Sequence, residues 1–260
     1  MVSGQSEVPI SLSDRRAELA RNLAWVRERI ERACQVVGRV PTEITLIAVT
    51  KTFPVSDVAL LAELGLRDMG ENRDGEARGK AERLTGLRWH FVGQLQRNKC
   101  RSVATYADVV HSVDRPQLVD ALARASAEVR RKPLGVLMQV DLDRTLHGQT
   151  SHHDRLSHID HIEPTDPTHR RAGVSPDGAI ELAERIRQYP ALTLHGVMGI
   201  APQDGDPLAA FSQLKAVSEQ LRSVTKSANW ISAGMSDDLI QAVAAGATHV
   251  RVGSALLGIR

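Results

Sequence analysis

Aromatic residues are scarce: three Trp, two Tyr and three Phe account for 3% of the 260 residues. Proteins that stack nucleobases interleave such rings with Lys and Arg, and no run of that kind is present. The charge balance agrees, because 33 basic and 31 acidic side chains leave a net charge of only +2 and no broad field for a polyanion. A small molecule is the expected partner, with no nucleic acid. Cysteine is nearly missing as well. Cys34 and Cys100 stand far apart without CxxC spacing, which indicates neither a zinc knuckle nor a disulfide framework and favours a reducing compartment. No apolar run approaches the roughly 18 residues that a membrane helix needs. The opening stretch MVSGQSEVPISLSD lacks the basic-then-apolar order of a leader. The expected setting is cytoplasmic, with no membrane.

What is present is a steady alternation of strand-like and helix-like segments. The first helix is expected over about residues 13–37, SDRRAELARNLAWVRERIERACQVV, capped by Ser13 or Asp14, with Leu19, Leu23, Val26 and Ile30 as its apolar stripe. Eight β-branched runs follow: ITLIAVT, LRDMGE, RWHFVG, DVVHSV, LGVLMQVDL, LHGVMGI, NWISA and THVRVG. Between them lie helical segments such as VSDVALLAELG, RPQLVDALARASAEV and PLAAFSQLKAVSEQLRSV, several opening on Ser, Asp or Pro. Eight such units predict a single (β/α)8 barrel domain over residues 1–260, with an open doubly wound sheet as the competing α/β solution.

One stretch breaks the rhythm. From about residue 143 to 171 periodicity disappears, and six of the ten histidines gather there: His147, His152, His153, His158, His161 and His169. No HExxH or Cys-His spacing fixes a metal geometry among them. The segment is expected to be a polar loop inserted after the fifth strand.

In a (β/α)8 barrel the functional groups sit at the C-terminal strand ends. Lys51 follows the first strand, Glu71 and Asn72 the second, Gln94, Arg97, Asn98 and Lys99 the third, and His111 and Ser112 the fourth. The stretches ISAGMSDDLIQA and HVRVGSALLG place Ser232, Gly234, Ser236, Arg251, Gly253 and Ser254 after strands seven and eight. Barrels most often hold a phosphate there, on N–H groups at the start of a helical turn. Ser236 is the expected N-cap, with Asp237 and Asp238 compensating the helix dipole. A lysine at a neighbouring strand end suggests two roles, a point charge on the phosphate or an amine that condenses with a carbonyl. The second role requires loss of a proton from a group whose free pKa is about 10.4. An apolar strand environment and Arg251 across the mouth would favour that loss.

The segments LIAVTKTFP, MGENRDGEARGK, WHFVGQLQRNK, HSVDR, LHGVMGIAP and ISAGMSDDLIQAVAAGATHVRVGSALLG occur in an order and spacing that resemble the pyridoxal phosphate homeostasis family, the proline synthase co-transcribed homologues. They cover most of the chain from Ile44 to Arg260. The resemblance implies a barrel similar to the N-terminal domain of alanine racemase (PLP fold type III), without the C-terminal β-domain. It implies pyridoxal 5′-phosphate (PLP) held as a Schiff base on Lys51, phosphate contacts from Ser232, Ser236, Gly253 and Ser254, and Arg251 at the pyridine nitrogen. Asn72 and His90 would lie near the ring. For His90 a satisfied strand histidine is the competing assignment. An arginine beside the pyridine nitrogen is a donor that does not give up its proton, so the ring becomes a poor electron sink. Racemisation would also need a second acid/base on the opposite ring face, and neither Tyr106 nor Tyr189 stands at a strand mouth.

Two departures from the family pattern stand out: Arg73 in GENRDGE, where an aromatic is expected, and Arg171 in HRRAG, where a lysine is expected. The function expected is that of a PLP carrier or buffer in vitamin B6 and amino-acid homeostasis, working as a monomer and supplying PLP-dependent apoenzymes. A racemase-like PLP enzyme is the alternative, and a Schiff-base aldolase acting on phosphosugars comes third.

Overall fold

The computed structural model describes residues 11–143 and 172–258. The six clustered histidines and Arg171 lie outside the described residues. Eight strands form: β1 (Thr45–Val49), β2 (Asp68–Glu71), β3 (Arg88–Phe91), β4 (Val109–Val113), β5 (Leu134–Gln139), β6 (Leu192–Met198), β7 (Trp230–Ser232) and β8 (His249–Val252). Seven lie inside the segments expected from β-branching, and β6 begins two residues early. All pair in parallel and in chain order, and β8 returns to β1 with Thr45 opposite His249 and Ile47 opposite Arg251. That closure excludes the open sheet.

The outer layer is built from α1 (Leu12–Val36), α2 (Val55–Glu63), α3 (Asp74–Ala81), α4 (Cys100–Tyr106), α5 (Pro116–Val129), α6 (Ala179–Arg187), α7 (Pro207–Val224), α8 (Leu239–Ala244) and α9 (Ser254–Leu257). Helix α1 starts earlier than expected, because Ser11 and not Ser13 or Asp14 is its cap: the Ser11 hydroxyl accepts the Asp14 N–H at 3.1 Å. Its stripe of Leu19, Leu23, Val26 and Ile30 is buried as patterned. These residues join Leu46 and Ala48 of β1, Val250 and Val252 of β8, and Leu256 and Leu257 of α9 in one cluster, so α1 covers the closing seam. A second cluster lies between β3–β7 and helices α4–α8.

Helix α3 is not among the helical segments expected from the apolar pattern. Its residues DGEARGKA carry two glycines and no apolar stripe, and the side chains it buries are Ala77 and Lys80. Inside the barrel a small apolar cluster of Val109, Leu137 and Met198 is flanked by Ile200 and Trp230. Among the described residues, no helix is long and apolar enough to cross a membrane.

The turn after β7 depends on Gly234. Its φ is +89°, and an added Cβ would stand 2.5 Å from the Ala242 Cβ. Replacing Gly234 by Ala combines a left-handed conformation with overpacking, each costing on the order of 1–2 kcal/mol. Urea unfolding of Gly234→Ala is expected to show a stability loss of about 2–4 kcal/mol with an unchanged m-value.

Candidate functional site

Lys51 sits on a turn held from below. The Phe53 N–H donates to the Thr50 carbonyl at 3.2 Å, closing the turn over Lys51. Thr52 takes φ 68°, the only positive φ outside glycine among the described residues and an unfavourable conformation for a β-branched residue. The strain is offset by bonds from both sides. The Thr52 N–H donates to Glu76 Oε1 at 2.6 Å, and the Thr50 hydroxyl donates to Glu71 Oε1 at 2.6 Å.

Beneath the turn, the Lys80 ammonium bonds the Thr50 carbonyl at 2.7 Å, Glu71 at 2.6 Å and Glu76 at 2.7 Å. Lys80 is 4% exposed and Glu71 1%, so the three acceptors match the three donors of a desolvated ammonium. Burial pushes the Glu71 carboxyl pKa up, and the bonds from Lys80 and Thr50 pull against that rise. Lys51 itself is exposed, outside the apolar surround expected for it.

The β8–β1 register sets Ile47 beside Arg251 and Ala48 beside Val252. Three residues beyond Ala48 comes Lys51, and two beyond Val252 comes Ser254, so the two lie at neighbouring strand ends. The Ser254 and Ser236 hydroxyls are 3.4 Å apart, and the Ala255 N–H reaches Ser236 Oγ at 3.4 Å. Ser236 therefore faces α9 and does not cap α8, whose N-cap is Asp238. The Asp238 carboxylate takes the Met235 N–H at 2.6 Å. Helix α1 pins these loops: Arg29 donates to the Ser236 carbonyl at 2.6 Å, Asn22 to Leu256 at 3.0 Å and Arg15 to Leu257 at 2.9 Å.

Arg251 is buried at 5% exposure. It donates to Ser232 Oγ at 2.7 Å and to the Gly199 carbonyl at 3.0 Å. Burial lowers its pKa to about 10, with Asp238 opposing the fall, so at neutral pH it remains a cation. Ser232, expected among the phosphate contacts, is instead fully buried and engaged by Arg251 and by His111 Nδ1 at 3.1 Å. His90, expected near the ring, lies deeper in the barrel. Its Nδ1 shares a 2.9 Å hydrogen bond with His111 Nε2, and its Nε2 one of 2.9 Å with Asp68 Oδ1. The competing assignment, a satisfied strand histidine, describes it.

Asn72 follows β2 and is half-buried, pressed by Gly93 of the next loop, where an added Cβ would strike the Asn72 backbone. Its side-chain oxygen, together with Glu71 Oε2 and Ser112 Oγ, is buried with no protein partner. Orphaned polar atoms of this kind at strand ends suit a polar ligand. Arg97 and Asn98 instead line an open cleft of about 510 Å³ against α5, with Gln117 and Arg124. The tyrosines stay in the outer layer, Tyr189 donating to Asp120 at 2.9 Å and Tyr106 packing between the two outer clusters. Among the described residues no group of three or more His, Cys, Asp or Glu side chains is arranged to hold a metal. Sequence reasoning missed Lys80, Glu76 and Asp68. The Glu76–Lys80 spacing of i, i+4 was the available signal for the first two.

Comparison with known proteins gives a consistent set. Residues 165–260 match the family "alanine racemase, N-terminal domain". The chain is 40% identical over 265 aligned positions to the pyridoxal phosphate homeostasis protein of Mycobacterium tuberculosis, covering 95% of both chains. The structure of PipY from Synechococcus elongatus with PLP bound superposes with a TM-score of 0.71 at 28% identity, covering 92% of this chain and all of that one. Alanine racemase from Clostridium difficile shares the barrel fold at a TM-score of 0.69 and 13% identity, over 92% of this chain and 56% of that one.

Lys80→Met would leave Glu71 as a buried unpaired carboxylate, and a loss of about 3–5 kcal/mol in denaturant unfolding is expected. Adding Glu71→Gln should recover much of it. A second expectation concerns acid. Burial lowers the pKa of His249 to about 3 and holds His111 well below the usual range. The unfolded chain therefore binds more protons below about pH 6.5, and stability falls as pH drops through that point. Two such histidines give a slope of roughly 3 kcal/mol per pH unit, readable from urea midpoints at a series of pH values.

Proposed function

The chain belongs to the pyridoxal phosphate homeostasis protein family, and on that premise we propose that it binds PLP at the C-terminal mouth of the barrel and acts as a carrier or buffer of the cofactor. In this reading it works as a monomer in the cytoplasm and supplies PLP-dependent apoenzymes. The observation that carries the proposal is the mouth itself. A lysine held on a strained, four-bonded turn lies one strand from a pair of facing serine hydroxyls and a buried arginine. The residues fit the cofactor's parts. Ser236, Ser254 and the Gly253 backbone suit a phosphate, Arg251 suits the pyridine nitrogen as donor, and the orphaned Asn72 oxygen suits a polar ring substituent. The cofactor supplies an aldehyde that an amine takes up reversibly as a Schiff base, and Lys51 is the amine assigned to it.

Each side chain then has a physical task. The bonds to Glu71, Glu76 and Lys80 fix the backbone on either side of Lys51, so that its amine is presented with little orientational freedom. Arg251, a cation anchored by Ser232 and Gly199, donates a hydrogen bond and withholds its proton, which favours storage of the cofactor over carbanion chemistry. Both tyrosines lie in the outer layer, away from the mouth, so in this reading neither supplies an acid/base on the opposite ring face. A racemase-like activity is the second reading, supported by the barrel shared with alanine racemase.

Purified protein incubated with PLP is expected to show a visible absorbance band, and borohydride reduction followed by peptide mass spectrometry is expected to find the adduct on Lys51. Lys51→Ala should lose both signals. A colourless protein, or an adduct on Lys99, overturns the assignment. Chiral analysis after incubation with L- or D-amino acids should find no appreciable racemisation; finding it replaces the carrier with the racemase.

A further inference from the structure

The barrel interior contains a continuous line of hydrogen bonds that the proposed cofactor site uses only at its end. It starts at Asp68, the first residue of β2, whose side chain is 14% exposed beside Arg88 at the N-terminal mouth. From there it passes through His90 (2.9 Å), His111 (2.9 Å) and Ser232 (3.1 Å) to Arg251 (2.7 Å). The His111–Ser232 bond joins β4 to β7, which are not neighbours in the sheet, so the line crosses the barrel lumen.

Donor and acceptor rules give this line a direction. Arg251 only donates, so Ser232 Oγ accepts from it. Asp68 is held as a carboxylate: burial raises its pKa, but the hydrogen bond from His90 and the neighbouring Arg88 guanidinium bring it below the usual value. It therefore accepts from His90 Nε2–H. With one proton on each ring, His90 Nδ1 accepts from His111 Nε2–H, and His111 Nδ1 accepts the Ser232 hydroxyl. Every hydrogen then has an acceptor. Reversing the middle of the line would require a doubly protonated His90 and would strand the Ser232 hydroxyl hydrogen in a residue with no solvent exposure. It would also add a cation to a lumen that already holds Arg251, against the cost of unpaired buried charge.

We propose that Asp68, His90, His111 and Ser232 form a one-directional hydrogen-bond relay that positions Arg251, so that a carboxylate at one mouth of the barrel orients the guanidinium at the other. The role of Arg251 toward PLP rests on the function proposed above; the direction of the relay does not. Ser232 is thereby a positioning residue whose hydroxyl hydrogen is committed inward, and it has none to offer a phosphate.

The direction is tested on the unmodified full-length protein without cofactor. In 15N spectra of the histidine rings, His90 and His111 are both expected as neutral rings protonated on Nε2. A proton on Nδ1 of His111, or a charged His90, overturns the relay. The coupling is tested at its far end: Asp68→Leu should shift the ring signals of His111, with which Asp68 shares no hydrogen bond, and collapse the resolved guanidinium N–H signals of Arg251. Unchanged signals at both sites overturn it.

The consequence for binding is read by PLP titration. His111→Leu is expected to weaken affinity about tenfold. His111→Gln should restore most of it, because a Gln side chain accepts from Ser232 through its oxygen and donates to His90 through its nitrogen. Equal affinity for wild type and His111→Leu, or no rescue by Gln, removes the positioning role. If the wild-type protein takes up no PLP, the proposed function fails while the ring spectra still decide the relay, and they decide it equally if a variant does not fold.

Discussion

Everything at the mouth depends on how β8 closes against β1. The register that sets Ile47 beside Arg251 brings the end of the first strand next to the last, although some 200 residues of chain separate them. Lys51, Ser254 and Arg251 become neighbours through that pairing alone. Parallel pairing buried on both faces tolerates no slip, because a shift of one residue would turn Arg251 out of the lumen and Val252 into it. Helix α1 secures the same seam from outside, burying its stripe across β1 and β8 while its polar residues hold carbonyls in the turns that follow β7 and β8.

The barrel tolerates an unusual amount of buried polarity by pairing most of it in two places. Under Lys51 a buried ammonium has three oxygens for its three hydrogens. Along the axis, two histidines, a serine and an arginine form one chain that ends on a carboxylate. Buried polar groups specify geometry through the partners they find. Here both networks end beside the mouth, one at the lysine backbone and the other at the guanidinium. Of the buried polar atoms left without protein partners, the Asn72 oxygen, Glu71 Oε2 and Ser112 Oγ lie at or near the ends of β2 and β4, and the others belong to the outer helices or their caps.

Carrier and enzyme differ on this scaffold by few groups. A cofactor held by an amine, a phosphate cradle and a cationic donor is stored; turnover requires in addition a proton acceptor and donor placed across the ring. Tyr189 is bound to Asp120 and Tyr106 is packed against the outer clusters, so both hydroxyl-bearing rings belong to the outer layer.

The sequence by itself determined the alternation of strands and helices, the stripe of α1, and the gathering of Lys51, Ser236, Arg251, Gly253 and Ser254 at strand ends. Those features are periodic or local, and period and turn chemistry are what a linear chain displays. It did not display α3, whose glycines and charges imitate a loop until Lys80 is seen beneath Lys51. Nor could it tell that Ser232 and His90 look inward to His111 and Asp68, since side chains from β2, β3, β4 and β7 meet only across a closed lumen. The tertiary structure decided which polar residues stay at the open mouth and which hold one another, because that choice depends on hydrogen-bond partners distant in sequence and adjacent only after the barrel closes.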